Sequence, residues 1–315
     1  MKTKAVIINE YGGKEVLTEG EVTLPELGAH QVMVRTKATS VNPIDWKLRE
    51  GYLQQKLDWE FPIILGWDVA GVIEAVGSEV SNWQVGDEVF ARPETTRFGT
   101  YAQFTIVDDH LLAKKPVHIT FEEAAAVPLA GLTAYQALFD HGQLKKGEQV
   151  LIHAGAGGVG SYAVQLAKQA GAFVYTTASL KNHELLYKLG ADQVIDYRTI
   201  NLQELLTDID LVLDTIGGDT QEESFPILKE GSGRLISVLQ EPDQELAKTK
   251  QVTAKSMWLE PNGEQLAILA DLLEQKKIRS VIAQSFPLTE SGIYQAHELS
   301  EGHHAVGKIV ISSET

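Results

Sequence analysis

The sequence contains no cysteine among its 315 residues. That excludes disulfides, thiolate nucleophiles, Cys-ligated zinc and iron–sulfur clusters. Positive charge is scarce: 27 Lys and Arg stand against 43 Asp and Glu, a net charge of −16. Nucleic acids and anionic membranes are held by clustered cations, so neither is an expected partner. No uninterrupted apolar run reaches the ~18 residues of a membrane span. The longest candidate, 124–139, is broken by Pro128, Gly131, Thr133 and Gln136. The chain opens Met1-Lys2-Thr3-Lys4-Ala5-Val6-Ile7-Ile8, too short for a signal-peptide core and without a small-residue cleavage site, which points to the cytoplasm. The nine His are scattered, with only His303 and His304 adjacent. No His/carboxylate set has metal-ligand spacing, so no metal is expected. No Ser/His/Asp nucleophile set or paired-carboxylate site is visible either.

What is present is a globular composition, 43% hydrophobic and 22% charged, on a length that suggests about two domains. The first ~120 residues are β-rich, with strand-like runs at 5–8, 31–41, 69–76, 88–91 and 101–107 separated by turn residues. Strands at this spacing suggest a sandwich or barrel. Thr120 followed by Glu122 and Glu123 marks a helix start. From Gln149 the pattern alternates. Strands are predicted at 150–153, 173–177, 193–196, 211–214 and 235–238, and helices at 158–170, 182–189, 201–206 and 220–229. This is the α/β pattern of a doubly wound parallel sheet. A strand at 252–259 and a helix at 263–275 would complete it. The last ~30 residues are β-like again and suit a return to the first domain.

The most informative segment is Val150-Leu151-Ile152-His153-Ala154-Gly155-Ala156-Gly157-Gly158-Val159-Gly160. A strand runs into G-x-G-x-x-G, formed by Gly155, Gly157 and Gly160, and an amphipathic helix follows. Such a loop turns tightly, lets a pyrophosphate approach the backbone, and presents free N–H groups at a helix N-terminus. The strand–loop–helix context separates it from an ordinary glycine-rich turn. A dinucleotide cofactor is therefore expected, held by Gly155, Gly157, Gly158, Val159 and Gly160.

An NAD site usually carries an acid at the tip of the second strand, about 20 residues on. Here that tip is Thr177-Ala178-Ser179-Leu180-Lys181. A hydroxyl and a cation suit a 2′-phosphate, so NADPH is favoured over NADH, with Ser179 and Lys181 as its ligands. The competing account is a solvated helix start in which Glu184 pairs with Lys181. Val238 ends the fifth strand of the sheet and by topology abuts the cofactor.

The sequence resembles the zinc-free branch of the medium-chain dehydrogenase/reductase superfamily, the quinone oxidoreductase (zeta-crystallin-like) and alkenal/enone reductase family. The resemblance rests on 40–47, Ser-Val-Asn-Pro-Ile-Asp-Trp-Lys; 66–73, Gly-Trp-Asp-Val-Ala-Gly-Val-Ile; 85–90; 99–103; 128–135; the glycine loop; and 302–310, ending Val306-Gly307-Lys308-Ile309-Val310. It implies a GroES-like β-rich catalytic domain, 1–120 and 284–315, joined to a Rossmann NADPH-binding domain, 121–283, with the active site between them. It also implies a homodimer or homotetramer, paired through the strand near 252–259. Asn42 would contact the nicotinamide ribose or the substrate oxygen, or serve as an Asn-Pro turn. Asp45 would order that loop or cap a helix. Tyr52 would donate a hydrogen bond or proton to a carbonyl, or form an aromatic wall. Thr133 would lie near the nicotinamide, and Tyr197 beside the 2′-phosphate.

Zinc-dependent members place a Cys near position 42 and a His and Glu at 67–68. This chain has Asn42, Trp67 and Asp68. Zinc stabilises an alkoxide as a Lewis acid. Without it, a conjugated acceptor is the suitable substrate, because the charge spreads into an enolate or hydroquinone anion that hydrogen-bond donors can hold. The expected activity is hydride transfer from NADPH to a quinone or an α,β-unsaturated carbonyl. The alternatives are an enoyl-thioester reductase and a non-catalytic NADPH-binding protein.

Overall fold

The computed structural model describes residues 1–313. The chain forms two compact units, divided after Leu129 and after Glu260. The first holds Met1–Leu129, Pro261–Lys276 and the residues from Ser280 on; the second holds Ala130–Glu260 and Lys277–Arg279.

The first unit begins with β1 (Lys2–Ile8), β2 (Leu17–Thr23), β3 (Gln31–Val41), α1 (Pro43–Arg49), β4 (Ile63–Ile64), β5 (Val69–Val76), β6 (Glu88–Ala91), β7 (Phe104–Asp108), β8 (Leu112–Lys114) and α2 (Phe121–Ala125). Strands β2, β1 and β4 form one antiparallel sheet. The strand predicted at 101–107 starts later, at Phe104. Tyr101 and Ala102 instead bond to β1 and to Leu65. This lets the Tyr101 ring enter the core beside Trp67, both fully buried. Burying a large apolar side chain of this kind contributes about 1.5–3 kcal/mol. Helix α1 starts at a Pro in its first turn and carries Lys47 and Arg49 in its last, and Gly51 follows at φ +85°. These are the signals expected at the two ends of a short helix.

The second unit contains α3 (Pro128–Tyr135) from Ala130 on, then β9 (Gln149–Ile152), α4 (Gly158–Gln169), β10 (Phe173–Thr177), α5 (His183–Leu189), β11 (Gln193–Ile195), α6 (Leu202–Leu205), β12 (Leu211–Asp214), α7 (Gly218–Glu222), β13 (Arg234–Ser237), α8 (Gln244–Lys250) and β14 (Thr253–Ser256). Its six strands run parallel in the order β11-β10-β9-β12-β13-β14. That is the doubly wound order whose direction reverses beside the first strand, where such sheets bind ligands. The helix predicted at 220–229 is only α7. Pro226 has no N–H and disfavours helix at the residue before it. The chain turns there, and Phe225, Ile227 and Leu228 enter the core under the sheet.

The chain then returns to the first unit with α9 (Gly263–Glu274), β15 (Ile282–Pro287), α10 (Glu290–Glu301) and β16 (Lys308–Ser312). Helix α9, expected with the second domain, packs on β8 in the first. Gly263 permits this, since a Cβ there would lie 2.2 Å from the His110 carbonyl oxygen. The segment 121–129 also lies in the first unit. The returning β16 pairs antiparallel with β3, Ile309 opposite Val41, and completes the sheet β15-β16-β3-β5-β6-β8, with β7 also on β3.

Candidate functional site

The dinucleotide loop lies at the C-terminal end of β9. Its glycines divide by physical role. A Cβ on Gly155 would come 2.0 Å from Thr176 Oγ1, and one on Gly160 2.3 Å from the Ala154 carbonyl oxygen. The fold itself demands those two. A Cβ on Gly157 would meet only that same carbonyl oxygen, at 3.3 Å. Gly157 is the N-cap of α4, and among the described residues no side chain caps that end. Gly158 and Val159 form its first turn, with their N–H groups at the positive end of the helix dipole. A cradle that only an incoming group would fill, at an uncapped helix start, fits a pyrophosphate.

Beside the loop, β10 ends at Thr177 and β11 at Ile195, adjacent in register. Ser179 caps the turn after β10 and accepts from Asn182 Nδ2 at 3.4 Å. Lys181 is exposed, and among the described residues it has no ion pair. Glu184 is taken by Lys188, 2.6 Å away, so the expected alternative pairing with Lys181 does not form. Tyr197, 57% exposed, follows β11, and the Arg198 guanidinium lies 5.6 Å from its ring. Val238 is half-buried just past β13, its N–H on the Asp214 carbonyl. Thr133 is buried on α3. The structure therefore gathers the glycine loop, Ser179, Lys181, Tyr197 and Val238 at the C-terminal ends of the parallel strands.

In the first unit, Asn42 lies in a buried polar centre. Its Nδ2 donates to Asp68 Oδ2 at 2.7 Å, and its Oδ1 accepts from Lys308 Nζ. Ser40 Oγ (2.6 Å) and the Leu129 N–H (2.8 Å) also donate to Asp68. Lys308 Nζ donates to the Val41 carbonyl at 3.0 Å and lies 3.5 Å from Asp68. Asn42 is 2% exposed, so its side chain is committed to holding this centre. Asp45 accepts from the Asn42 N–H at 2.8 Å, half of a capping box, and from Tyr101 Oη at 2.9 Å. Burial raises the Asp45 carboxyl to about 7. His297 bridges Tyr101 Oη (3.2 Å) and Arg49 Nη1 (3.0 Å), and Arg49 pairs with Glu50 and Glu301. Tyr52 is apart from this network. It is 71% exposed, edge-on to Trp46 with ring centroids 6.5 Å apart, and His303 packs on the same indole.

Lys308, Tyr101, His297, Thr177 and Asp214 carry no motif in the sequence that assigns them to either site. Asp214 is buried and accepts from two backbone N–H groups, Gln221 and Ser237. A charged residue inside an apolar strand run was the one available signal for Asp214 and Lys308.

Residues 28–117 match the alcohol dehydrogenase GroES-like domain family, and 189–311 a family described as zinc-binding dehydrogenase. The chain is 35% identical to the chloroplastic NADPH-dependent alkenal/one oxidoreductase of Arabidopsis thaliana, over 98% of this chain and 79% of that protein. It superposes on the quinone oxidoreductase of Coxiella burnetii with a TM-score of 0.91, at 37% identity and full coverage of both chains. A mycobacterial structure complexed with NADPH gives 0.86, at 29% identity over 98% and 99% of the two chains. Zinc does not fit the residues present. Among the described residues no group of three or more His, Cys, Asp or Glu side chains could hold a metal ion. Trp67 is buried and donates to the Thr96 carbonyl, and Asp68 is already saturated with donors and faces an ammonium. The chain belongs to the NAD(P)H-dependent quinone and alkenal/one oxidoreductase family of the medium-chain dehydrogenase/reductase superfamily.

Proposed function

We propose that this protein transfers a hydride from NADPH to a quinone or an α,β-unsaturated carbonyl. The observation that carries the cofactor choice is the tip of β10. It offers a hydroxyl, Ser179, and an exposed ammonium, Lys181, that has no ion pair among the described residues, where an NADH site needs an acid. Tyr197 would flank the same phosphate, and Gly157, Gly158 and Val159 would receive the pyrophosphate. Val238 and Thr133 would line the nicotinamide end. The nicotinamide, when bound, supplies the hydride.

The acceptor class is supported by the relatives named above and by the filled polar centre. With Asn42, Asp68 and Lys308 bound to one another, no Lewis acid is available there to hold an alkoxide. A conjugated acceptor delocalises the charge and needs only hydrogen-bond donors. Tyr52 is the exposed phenol that would donate, and Asn42 and Asp45 would position the helix that carries Trp46 and Tyr52. A homodimer or homotetramer is part of the same proposal. It is supported by β14, an edge strand of its sheet, with Trp258 67% exposed just beyond it.

The test is consumption of NADPH by chelator-treated protein, with a 1,4-quinone and an acyclic enone in parallel and NADH as control. The expected result is turnover at least about tenfold faster with NADPH, a 1.4 kcal/mol preference. NADPH binding without turnover on either acceptor, or a preference for NADH, would overturn it.

A further inference from the structure

His153 is the residue that joins β9 to the dinucleotide loop, and it is 1% exposed. Its two ring nitrogens have different partners: Nε2 lies 2.8 Å from Ser224 Oγ and Nδ1 3.3 Å from Thr177 Oγ1. The direction of each hydrogen bond follows from the other partners. Ser224 Oγ donates its hydrogen to the Thr220 carbonyl at 2.7 Å, so it accepts from His153 Nε2–H. Nδ1 is then an acceptor, and the Thr177 hydroxyl donates to it. With its hydrogen fixed on Nδ1, Thr177 Oγ1 turns a lone pair to the Ala154 N–H, 3.0 Å away. Ala154 sits at φ +48°, a conformation that costs a non-glycine residue energy and persists only where neighbours impose it. The Gly155 N–H, next in line, is held by the Thr177 carbonyl at 3.0 Å. The first turn of the loop therefore hangs on Thr177.

We propose that His153 is a positioning residue for cofactor binding: its neutral Nε2–H tautomer orients the Thr177 hydroxyl, which holds Ala154 in the left-handed conformation that the dinucleotide loop requires. This rests on the assignment of the loop to NADPH. Burial also holds the imidazole pKa at about 4, so the acceptor lone pair on Nδ1 persists at neutral pH.

Two substitutions separate the two nitrogens. His153→Asn places an amide oxygen near the Nδ1 position, keeping an acceptor for Thr177 and losing Ser224. His153→Gln places an amide N–H near the Nε2 position, keeping Ser224 and losing the acceptor. Thr177→Val removes the hydroxyl at nearly constant shape. Each His153 variant loses one hydrogen bond in the same region, so comparable losses in thermal stability are expected for those two; Thr177→Val loses two, to Nδ1 and from the Ala154 N–H, and should lose more. The dissociation constants for NADPH should diverge: about tenfold weaker for His153→Gln and Thr177→Val, and within about twofold of wild type for His153→Asn, one hydrogen bond being worth about a factor of ten. Equal weakening in both His153 variants, or none in Thr177→Val, would overturn the positioning role and leave the cofactor assignment standing. Failure of the wild-type protein to bind NADPH would overturn both.

Discussion

Lys308 and Asn42 are 266 positions apart in sequence, yet the lysine ammonium donates to the asparagine Oδ1 inside the first unit. The same ammonium lies 3.5 Å from Asp68 Oδ2, and both side chains are all but fully buried. A buried cation is thus the element that orients the Asn42 amide.

Removing that cation takes from the buried Asp68 carboxylate the ammonium it pairs with, leaving the buried Arg92 guanidinium to act on it from farther away. Lys308→Met should destabilise the protein by about 3–5 kcal/mol, the usual cost of breaking a buried pair. The double variant Lys308→Met, Asp68→Asn restores neutrality and should recover a large part of the loss. Urea denaturation of the three proteins measures both effects. Equal stability of the single and double variants would show that the charge is not what matters.

The glycines of the loop should separate folding from binding. Gly160→Ala puts a methyl 2.3 Å from a carbonyl oxygen and should lower the melting temperature strongly. Gly157→Ala meets nothing closer than 3.3 Å and should fold at nearly wild-type stability. Its methyl would stand in the pyrophosphate's approach, and NADPH affinity should fall by about tenfold or more. Calorimetry with parallel titration of NADPH checks both. Tight NADPH binding by Gly157→Ala would place the pyrophosphate elsewhere.

Tyr52→Phe removes an exposed phenol, so stability should change by less than about 0.5 kcal/mol. If the phenol donates to the acceptor's oxygen, kcat should fall by about a hundredfold. NADPH affinity should not change. An unchanged kcat would reduce Tyr52 to an aromatic wall against Trp46.

Acid should destabilise the fold through two buried histidines. Burial, with the Arg49 and Lys14 charges, holds His297 at about 3, and burial holds His153 at about 4. In the unfolded chain both return to about 6.5. The unfolded state therefore binds more protons between those values, and the stability present above about pH 6.5 is lost as pH falls. Asp45 opposes this. Its carboxyl is raised to about 7 by burial, so it contributes stability at low pH that is lost as pH rises from about 4 toward 7. Two groups against one give a net loss on acidification. Urea midpoints taken from about pH 4 to 7 should rise with pH, and His297→Gln should flatten the slope. A slope unchanged in that variant would remove His297 from the account.

The dinucleotide half of the protein was legible because its signals are local. Strand β9, three glycines and α4 lie within one short stretch, in which Gly155 and Gly160 answer steric demands of the fold and Gly157 leaves its approach open. The missing acid after β10 is local too. The family stretches placed Asn42, Tyr52 and Tyr197, but could not separate a contact role from a structural one. For Asn42 that depended on Lys308 and Asp68, which arrive from β16 and from the turn before β5. The helix at 263–274 was recognised and its host was not, since amphipathicity shows that a face is buried but not against what. The helix predicted at 220–229 is shorter in the fold, α7 ending at Glu222, because Pro226 lacks an N–H and disfavours helix at the residue before it.

By itself, the sequence determined the alternation of strands and helices, the glycine loop, the absence of thiols and the acid-free tip of β10. All of these depend on residues within a few positions of one another, where backbone sterics and periodicity act directly. Only the tertiary structure decided that β16 returns to β3, that Lys308 and Asp68 consume the Asn42 amide, and that His153 reaches both Thr177 and Ser224. Those pairings follow from strand register and sheet order, and a hydrogen bond between distant residues is set by where the packed elements leave their side chains, not by spacing along the chain.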